Sequence, residues 1–377
     1  MPLAVLALAG IPWANAAAPA PGSSRPPVAP SGIPVTPTAA AGATFVRLNP
    51  RLHDFPRYAA GQAVTTATSP DGKTLLILTS GYNQLSDRAG HVIPADSAEY
   101  VFVYDIGHGR PESRQVLRVP NTFMGLVFAP DGRHFYVSGG VDDDVHVFGR
   151  TGAGWSEDTA ALIRLGHHAG KGLKATPAVA GLAVADDGGR LVVANFYNDS
   201  ISIVPLSGGL PAGAARELSL QPGQGRTGGT YPYWITIKGN STAYVSSMRD
   251  REIDVVDLAD QAPAVTARIP VKGNPNRMVL NRAGSRLYVA SDNADVVSVI
   301  DTANDRVVNV TRTIAPPSLV GPGAYFHGVA PNSLTLSPDE SRLYVTNGGE
   351  NALAILALGR GAPHVAGLVP TGYWPNS

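Results

Sequence analysis

The sequence predicts an all-β fold, a β-propeller of four-stranded blades, and three observations carry that expectation. Composition is the first: of 377 residues, 42 are Gly and 32 are Pro, while only 15% are charged. Many short strands joined by Gly/Pro turns have this profile, and helical proteins do not. The second is a repeat. Six segments align: "AVTTATSPDGKTLLILTS" from Ala63, "FMGLVFAPDGRHFYVSGG" from Phe123, "AGLAVADDGGRLVVANFYND" from Ala180, "YWITIKGNSTAYVSSMRDRE" from Tyr233, "NRMVLNRAGSRLYVASDNAD" from Asn276 and "NSLTLSPDESRLYVTNGGEN" from Asn332. The third is spacing. The turns of these segments, at 72, 132, 188, 240, 284 and 340, lie 44 to 60 residues apart, and four short strands at a period of about 40–60 residues make a propeller blade.

Each segment reads as an alternating strand, a two-residue turn and a second alternating strand. The turn pairs (Asp-Gly, Gly-Asn, Ala-Gly, Asp-Glu) suit a tight hairpin. A third strand follows in most, as in "SISIVPL", "EIDVVDL" and "VVSVIDT", and a fourth precedes the next repeat, as in "VTARIPV" from Val265. A single blade cannot bury both of its faces, so the Val, Ile, Leu and Ala at alternate positions form core between neighbouring blades.

The register places blades near 57–121, 122–175, 176–230, 231–273, 274–329 and 330–372. In the fifth and sixth, the inner strand opens with Pro275 or Pro331, and Pro375-Asn376 repeats that opening. Residues 373–377 therefore read as the start of a truncated seventh blade. "ATFVRLN" from Ala43 reads as its outermost strand, which would fasten the ring. The expectation is a propeller of the seven-bladed type, with six full blades and a closing strand within 43–377.

Ahead of it, residues 1–16 carry an apolar core from Leu3 to Ile11 and end in Ala14-Asn15-Ala16, the A-x-A pattern of a signal-peptide cleavage site. No basic residue precedes that core, since Arg25 is the first charge. Residues 17–42 form a Pro/Ala-rich linker too poor in aromatic and branched side chains to pack. A periplasmic or secreted location is the expectation. The formal net charge is zero, with no long run of either sign, so the electrostatic footprint of a nucleic-acid partner is missing. No apolar stretch reaches the roughly 20 residues that span a bilayer. With no cysteine, disulfides and thiol catalysis are excluded.

Tyr344-Val345-Thr346-Asn347, within "RLYVTNGGEN", is the literal string that names the YVTN family of β-propeller repeats. Variants stand at Tyr136-Val137, Val192-Val193-Ala194-Asn195, Tyr244-Val245 and Tyr288-Val289-Ala290. On these residues the chain from about 43 onward resembles that family. Four longer strings, "VVANFYNDSISIV", "YVSSMRDREIDVVDL", "GNPNRMVLNRAGSRLYVAS" and "GLVPTGYWPNS", make it similar to the N-terminal propeller of exported bacterial two-part proteins. In those, a YVTN propeller precedes a phosphoesterase domain of the alkaline-phosphatase superfamily. The resemblance implies that such a domain would follow this chain as its partner and hold the catalytic activity. None of its metal-binding signature stands here, so no catalytic residue, metal or cofactor is carried over.

Blade topology puts the Asp-Gly hairpins on one face of the disc. The loops after each "YVxN" strand and those entering each inner strand lie on the other, around the mouth of the central channel. Loops from every blade converge on that mouth, which is where propellers bind ligands. Tyr233, Trp234, Arg249, Arg277, Asn276, His327, Asn332, Asn195 and Asn347 are the candidate binding residues there. Asn121, Asp142, Asn198, Tyr231, Asp250, Arg251, Asn274 and Asp292 form a wider set. Asn and Asp also occur at such places because they make turns, whereas Arg249, Arg277, Tyr233 and Trp234 are less easily explained that way.

Two other motifs read as loops. Asp142, Asp143 and Asp144 are adjacent carboxylates, but three neighbours cannot all face one Ca²⁺ ion. His167, His168 and Lys171 in "LGHHAGKG" match neither a metal signature nor a P-loop and read as a flexible inter-blade loop. The leading functional expectation is a non-catalytic exported module that binds a small ligand or a protein partner. A propeller hydrolase of the lactonase kind, with its site in the channel, is the alternative, and a surface or adhesion protein is another. A lactonase needs Glu, His or Asp converging from inner strands, and those strands are mostly apolar or amide-bearing ("LAVAD", "ITIK", "LTLS").

Overall fold

The computed structural model describes residues 46–81, 83–152, 154–222, 228–259, 262–317, 327–359 and 361–377. The expected signal peptide, the linker and the first residues of the closing strand lie outside them. The described residues form six antiparallel sheets in chain order. The first contains β1 (Ala63–Thr68), β2 (Thr74–Thr79), β3 (Glu99–Asp105) and β4 (Glu112–Val119). The second contains β5 (Leu126–Phe128), β6 (His134–Ser138) and β7 (Asp144–Thr151), with an outer layer split into β8 (Gly154–Glu157) and β9 (Ile163–Arg164). The third has β10 (Val179–Val184), β11 (Arg190–Asn195) and β12 (Ser200–Ser207), edged by β13 (Leu210–Pro211) and β14 (Arg216–Ser219).

Three regular four-stranded sheets complete the set. They are β15 (Pro232–Lys238) to β18 (Ala264–Pro270) through β16 (Thr242–Ser247) and β17 (Glu252–Asp257); β19 (Pro275–Leu280) to β22 (Arg306–Arg312) through β20 (Arg286–Ser291) and β21 (Val296–Asp301); and β23 (Pro331–Leu336) to β26 (His364–Pro370) through β24 (Arg342–Asn347) and β25 (Ala352–Ala357). Their inner strands pack in the order β1, β5, β10, β15, β19, β23. No helix of the described residues is long and apolar enough to cross a membrane.

The core lies between sheets, as the alternation requires. Phe135 of the second sheet is fully buried, stacked on Phe148 with ring centroids 4.8 Å apart and edged by Trp155 at 5.0 Å. Leu76, Leu78, Val101 and Val103 of the first sheet close the same cluster.

The tight hairpins differ from the two-residue turns that the sequence suggests. Ser69–Lys73 separate β1 from β2: Ser69 N donates to Thr74 O and Gly72 N to Ser69 O, both at 2.8 Å, and Gly72 has φ +69°. This is a type I turn followed by a left-handed residue, whose twist suits the flanking strands. Gly132, Gly188 and Gly284 repeat the arrangement, and Glu340 takes the same left-handed position at φ +56°.

The sheets number six, and the expected seven-bladed closure is not formed by these residues. Residues 46–50 are not a strand. Leu48 is buried with Ala63, Ile77, Tyr100 and Phe102 of the first sheet, and its carbonyl accepts from Ala60 N at 2.7 Å. The backbone is thus engaged locally, without a partner strand. Pro375–Ser377 stand between β23 and β1. Asn332 Nδ2 donates to Pro375 O and Asn376 Oδ1, each at 3.0 Å, and Thr66 N donates to Ser377 Oγ at 2.9 Å.

Candidate functional site

Five of the six inner strands share a register shift at their opening: between Ala63 and Thr65, Val179 and Leu182, Pro232 and Ile235, Pro275 and Met278, and Pro331 and Ser333. Such a bulge leaves the ladder locally unpaired and re-aims side chains. Tyr233, Trp234, Asn276 and Arg277 all lie within these shifts.

Aromatic rings from three blades meet where these strands open. Phe123 precedes β5, Phe196 and Tyr197 follow β11, Tyr231 precedes β15 and Tyr233 is its second residue. Phe196 is stacked on Tyr231 at 4.9 Å and meets Tyr197 edge-on at 4.9 Å; Phe123 meets Phe196 at 5.7 Å and Tyr233 at 6.1 Å. The Arg249 guanidinium, exposed after β16, lies 5.4 Å from the Tyr231 ring centroid. Tyr231 itself has φ +58°, a strained conformation for an aromatic residue. It is held by Asp199 Oδ1 on its N–H at 3.2 Å and by Met248 N on its carbonyl at 3.1 Å.

Beside this wall is a cavity of about 340 Å³, lined by Phe123, Phe196, Tyr197, Asn121, Thr122 and Glu99 among others. Glu99, at the start of β3, is buried and accepts from Thr79 Oγ1 at 2.7 Å and Asn83 Nδ2 at 2.6 Å. Burial holds its carboxyl above the ordinary value despite those bonds.

A second focus is centred on Arg277. Arg277 is buried, with its guanidinium 4.7 Å from the Trp234 ring centroid. It donates to Val64 O, to Thr65 Oγ1 at 2.6 Å and to Ser333 Oγ at 3.4 Å. Thr65 Oγ1 in turn donates to Met124 O at 2.7 Å, so one chain of bonds joins the fifth, first and second blades. Desolvation brings the Arg277 pKa down to about 10, and burial pushes the Tyr233 hydroxyl up against the pull of Arg277. A cavity of about 630 Å³ adjoins Arg277, lined also by Trp234, Ser333, Tyr344, Thr66 and Ser377.

The remaining candidates take other roles. Asn195 is buried between Ser200 Oγ and Ser202 Oγ, at 3.0 and 2.9 Å, and Asn347 donates to Thr313 O and Glu350 Oε2 at 3.0 and 2.8 Å. Both pin the loops that follow their strands. Asn332 holds Pro375 and Asn376, as above. His327 is exposed, 3.7 Å from Asp295 Oδ2. Asn276 is buried, and its Oδ1 has no partner among the described residues.

Asp142, Asp143 and Asp144 turn to Asn121, His167 and His146 respectively. The His167 loop is not free: its ring lies 2.7 Å from Asp143 Oδ1 and 3.2 Å from Glu217 Oε1. No three His, Asp or Glu side chains converge to hold a metal ion among the described residues.

One ionic cluster is buried between the third and fourth blades. Arg268 Nη1 donates to Asp254 Oδ1 at 2.5 Å and Glu252 Oε1 at 2.8 Å, while Nη2 donates to Leu220 O. Asp254 is wholly buried and its Oδ2 has no partner among the described residues. Burial pushes its carboxyl up to about 8, the Arg268 charge opposing.

Phe123, Phe196, Tyr197 and Glu99 were not among the sequence candidates. The first three occupy the same loop positions as the polar candidates, so an aromatic search of those loops finds them. Glu99 has no such signal.

No family model matches the chain, and no curated protein does. Solved structures match over most of their length. A periplasmic gluconolactonase of Pseudomonas aeruginosa is 15% identical, with a TM-score of 0.63 over 84% of this chain and 88% of that one. The fold is a β-propeller. A candidate 6-phosphogluconolactonase of Bacteroides uniformis gives 13% identity and a TM-score of 0.64, covering 85% and 88%. The WD40 repeats of RRP9 give 11% and 0.61, covering 85% and 84%. At such identities these likenesses bear on the propeller fold alone, and a propeller serves many functions.

Proposed function

We propose that this chain is a ligand-binding propeller module whose recognition surface is the mouth of its channel. The aromatic wall of Phe123, Phe196, Tyr197, Tyr231 and Tyr233, with Arg249 over Tyr231, carries this reading. Such faces suit a ring-bearing small molecule, and the guanidinium adds a preference for negative charge. The adjoining cavity is of small-molecule size, within the range of about 300–1,000 Å³. Calorimetry with a panel of aldonic acids, sugar lactones and nucleotides tests it. Phe196→Ala and Tyr197→Ala should weaken any binder about tenfold, roughly the worth of an aromatic contact. Binding unaffected by both, or no binder in the panel, counts against the mouth.

The same reading takes the module as YVTN-type, exported and non-catalytic, attached in its full context to a phosphoesterase. Phosphodiesterase activity appearing only in a version extended downstream supports this picture, and hydrolysis by the present chain opposes it.

A second reading, a lactonase-like hydrolase, rests on Glu99, a buried carboxyl lining the mouth cavity with its proton affinity raised. Hydrolysis of glucono-δ-lactone by the purified chain, lost in Glu99→Gln, would favour it over the first.

A further inference from the structure

We propose that Arg277 is an oxyanion receptor inside the channel, a site separate from the aromatic wall. It would take the carboxylate or phosphate of a small organic anion lodged among the fifth, sixth and first blades. The argument begins with an imbalance of charge. A buried guanidinium is stable when it is paired, yet no carboxylate pairs with Arg277 among the described residues. Its acceptors are a carbonyl and two hydroxyls, of Val64, Thr65 and Ser333. A neutral amide could satisfy those, so they do not account for a buried charge.

Guanidinium has five N–H donors in a fixed fork, and these contacts engage three of them. The two N–H donors that remain, one on Nη1 and the Nε–H, can each make a charge-assisted bond to an oxyanion. Trp234 stacks on the guanidinium and fixes its plane. The adjoining cavity of about 630 Å³ offers the hydroxyls of Thr66, Ser333 and Ser377 as further polar partners. An entering anion would supply the missing counter-charge, and thermal stability reads that directly because a ligand of the native state stabilises it by mass action.

The test measures the unfolding midpoint with gluconate or inorganic phosphate, against chloride at equal ionic strength. The two arms separate carboxylate from phosphate recognition. At least one anion should raise the midpoint of the wild-type chain and change Trp234 fluorescence, a change absent in Trp234→Phe. Arg277→Gln should abolish the stabilisation. Arg277→Lys, which keeps the charge and loses the fork, should weaken the apparent affinity about tenfold or more. Ligands of the aromatic wall respond to Phe196→Ala and not to Arg277→Lys, which separates the two sites. No stabilisation of the wild type by either anion, or equal stabilisation in Arg277→Lys, would overturn the proposal.

Discussion

Replacing Asp254 by Asn should remove a pH dependence that this one carboxyl imposes on the whole fold. Asp254 is wholly buried, and its pKa is pushed from 3.8 up to about 8. Between those values the folded chain holds a proton that the unfolded chain has lost. The stabilisation is therefore complete below about pH 4 and is lost as the pH rises through about 8. One proton of difference changes stability by about 1.4 kcal/mol per pH unit. From pH 5 to pH 7 the upper bound is therefore about 3 kcal/mol, several degrees in the unfolding midpoint at about 2–4 °C per kcal/mol. Asn keeps an acceptor for Arg268 Nη1 and does not titrate. Thermal unfolding of both proteins from pH 5 to pH 8 gives the answer, because histidines common to both cancel in the difference. The wild type should lose stability relative to Asp254→Asn as the pH rises. Parallel curves would refute the argument, and a wild type that gained stability relative to Asp254→Asn as the pH rose would reverse its sign.

Other outcomes follow from packing. Gly181→Ala should destabilise by about 1–3 kcal/mol, the usual cost of overpacking, because its Cβ would lie 2.6 Å from Tyr233 O and 2.8 Å from Trp234 Cα; chemical denaturation measures it. Tyr244→Ala should cost about 3–5 kcal/mol, as for a buried aromatic, since the ring is buried and its hydroxyl donates to Asp305 Oδ1 at 3.1 Å. Tyr344→Ala, at the same repeat position but half-buried, should cost clearly less in the same assay. Equal losses would show that the difference in burial between the two rings carries no energetic weight.

The strands were legible in the sequence because alternation and turn residues recur in every unit. "RLYVAS" and "RLYVTN" each became the second strand of a sheet, β20 and β24. The turns were only half legible. Asp-Gly marks the left-handed residue, but Ser69 N bonding to Thr74 O sets the loop length, and composition does not show that bond. Tyr233, Trp234 and Arg249 were visible in the sequence as residues that turns do not explain, while Phe123, Phe196 and Tyr197 were not. Phe123 and Phe196 come together only because the second and third blades are adjacent, a relation between positions 73 residues apart. Arg277 stood among the channel-mouth candidates, but its reach to Val64 and Thr65 depends on the ring geometry. Asn195 and Asn347 misled because the same amide that reads a ligand also ties a loop.

The glycines of the inner strands divide the ring mechanically. At Gly125 and Gly181 a side chain would strike the backbone of the next blade, Ala180 O and Tyr233 O respectively. Blades two, three and four therefore meet backbone to backbone, with no rotamer to yield between them. The corresponding positions in blades five and six hold Arg277 and Ser333, and there the contact between strands runs through side chains that can change conformation. One half of the disc meets through backbone and the other through side chains. A substitution at Ser333 can therefore be taken up by the rotamers around it, whereas one at Gly125 or Gly181 has to displace a whole blade.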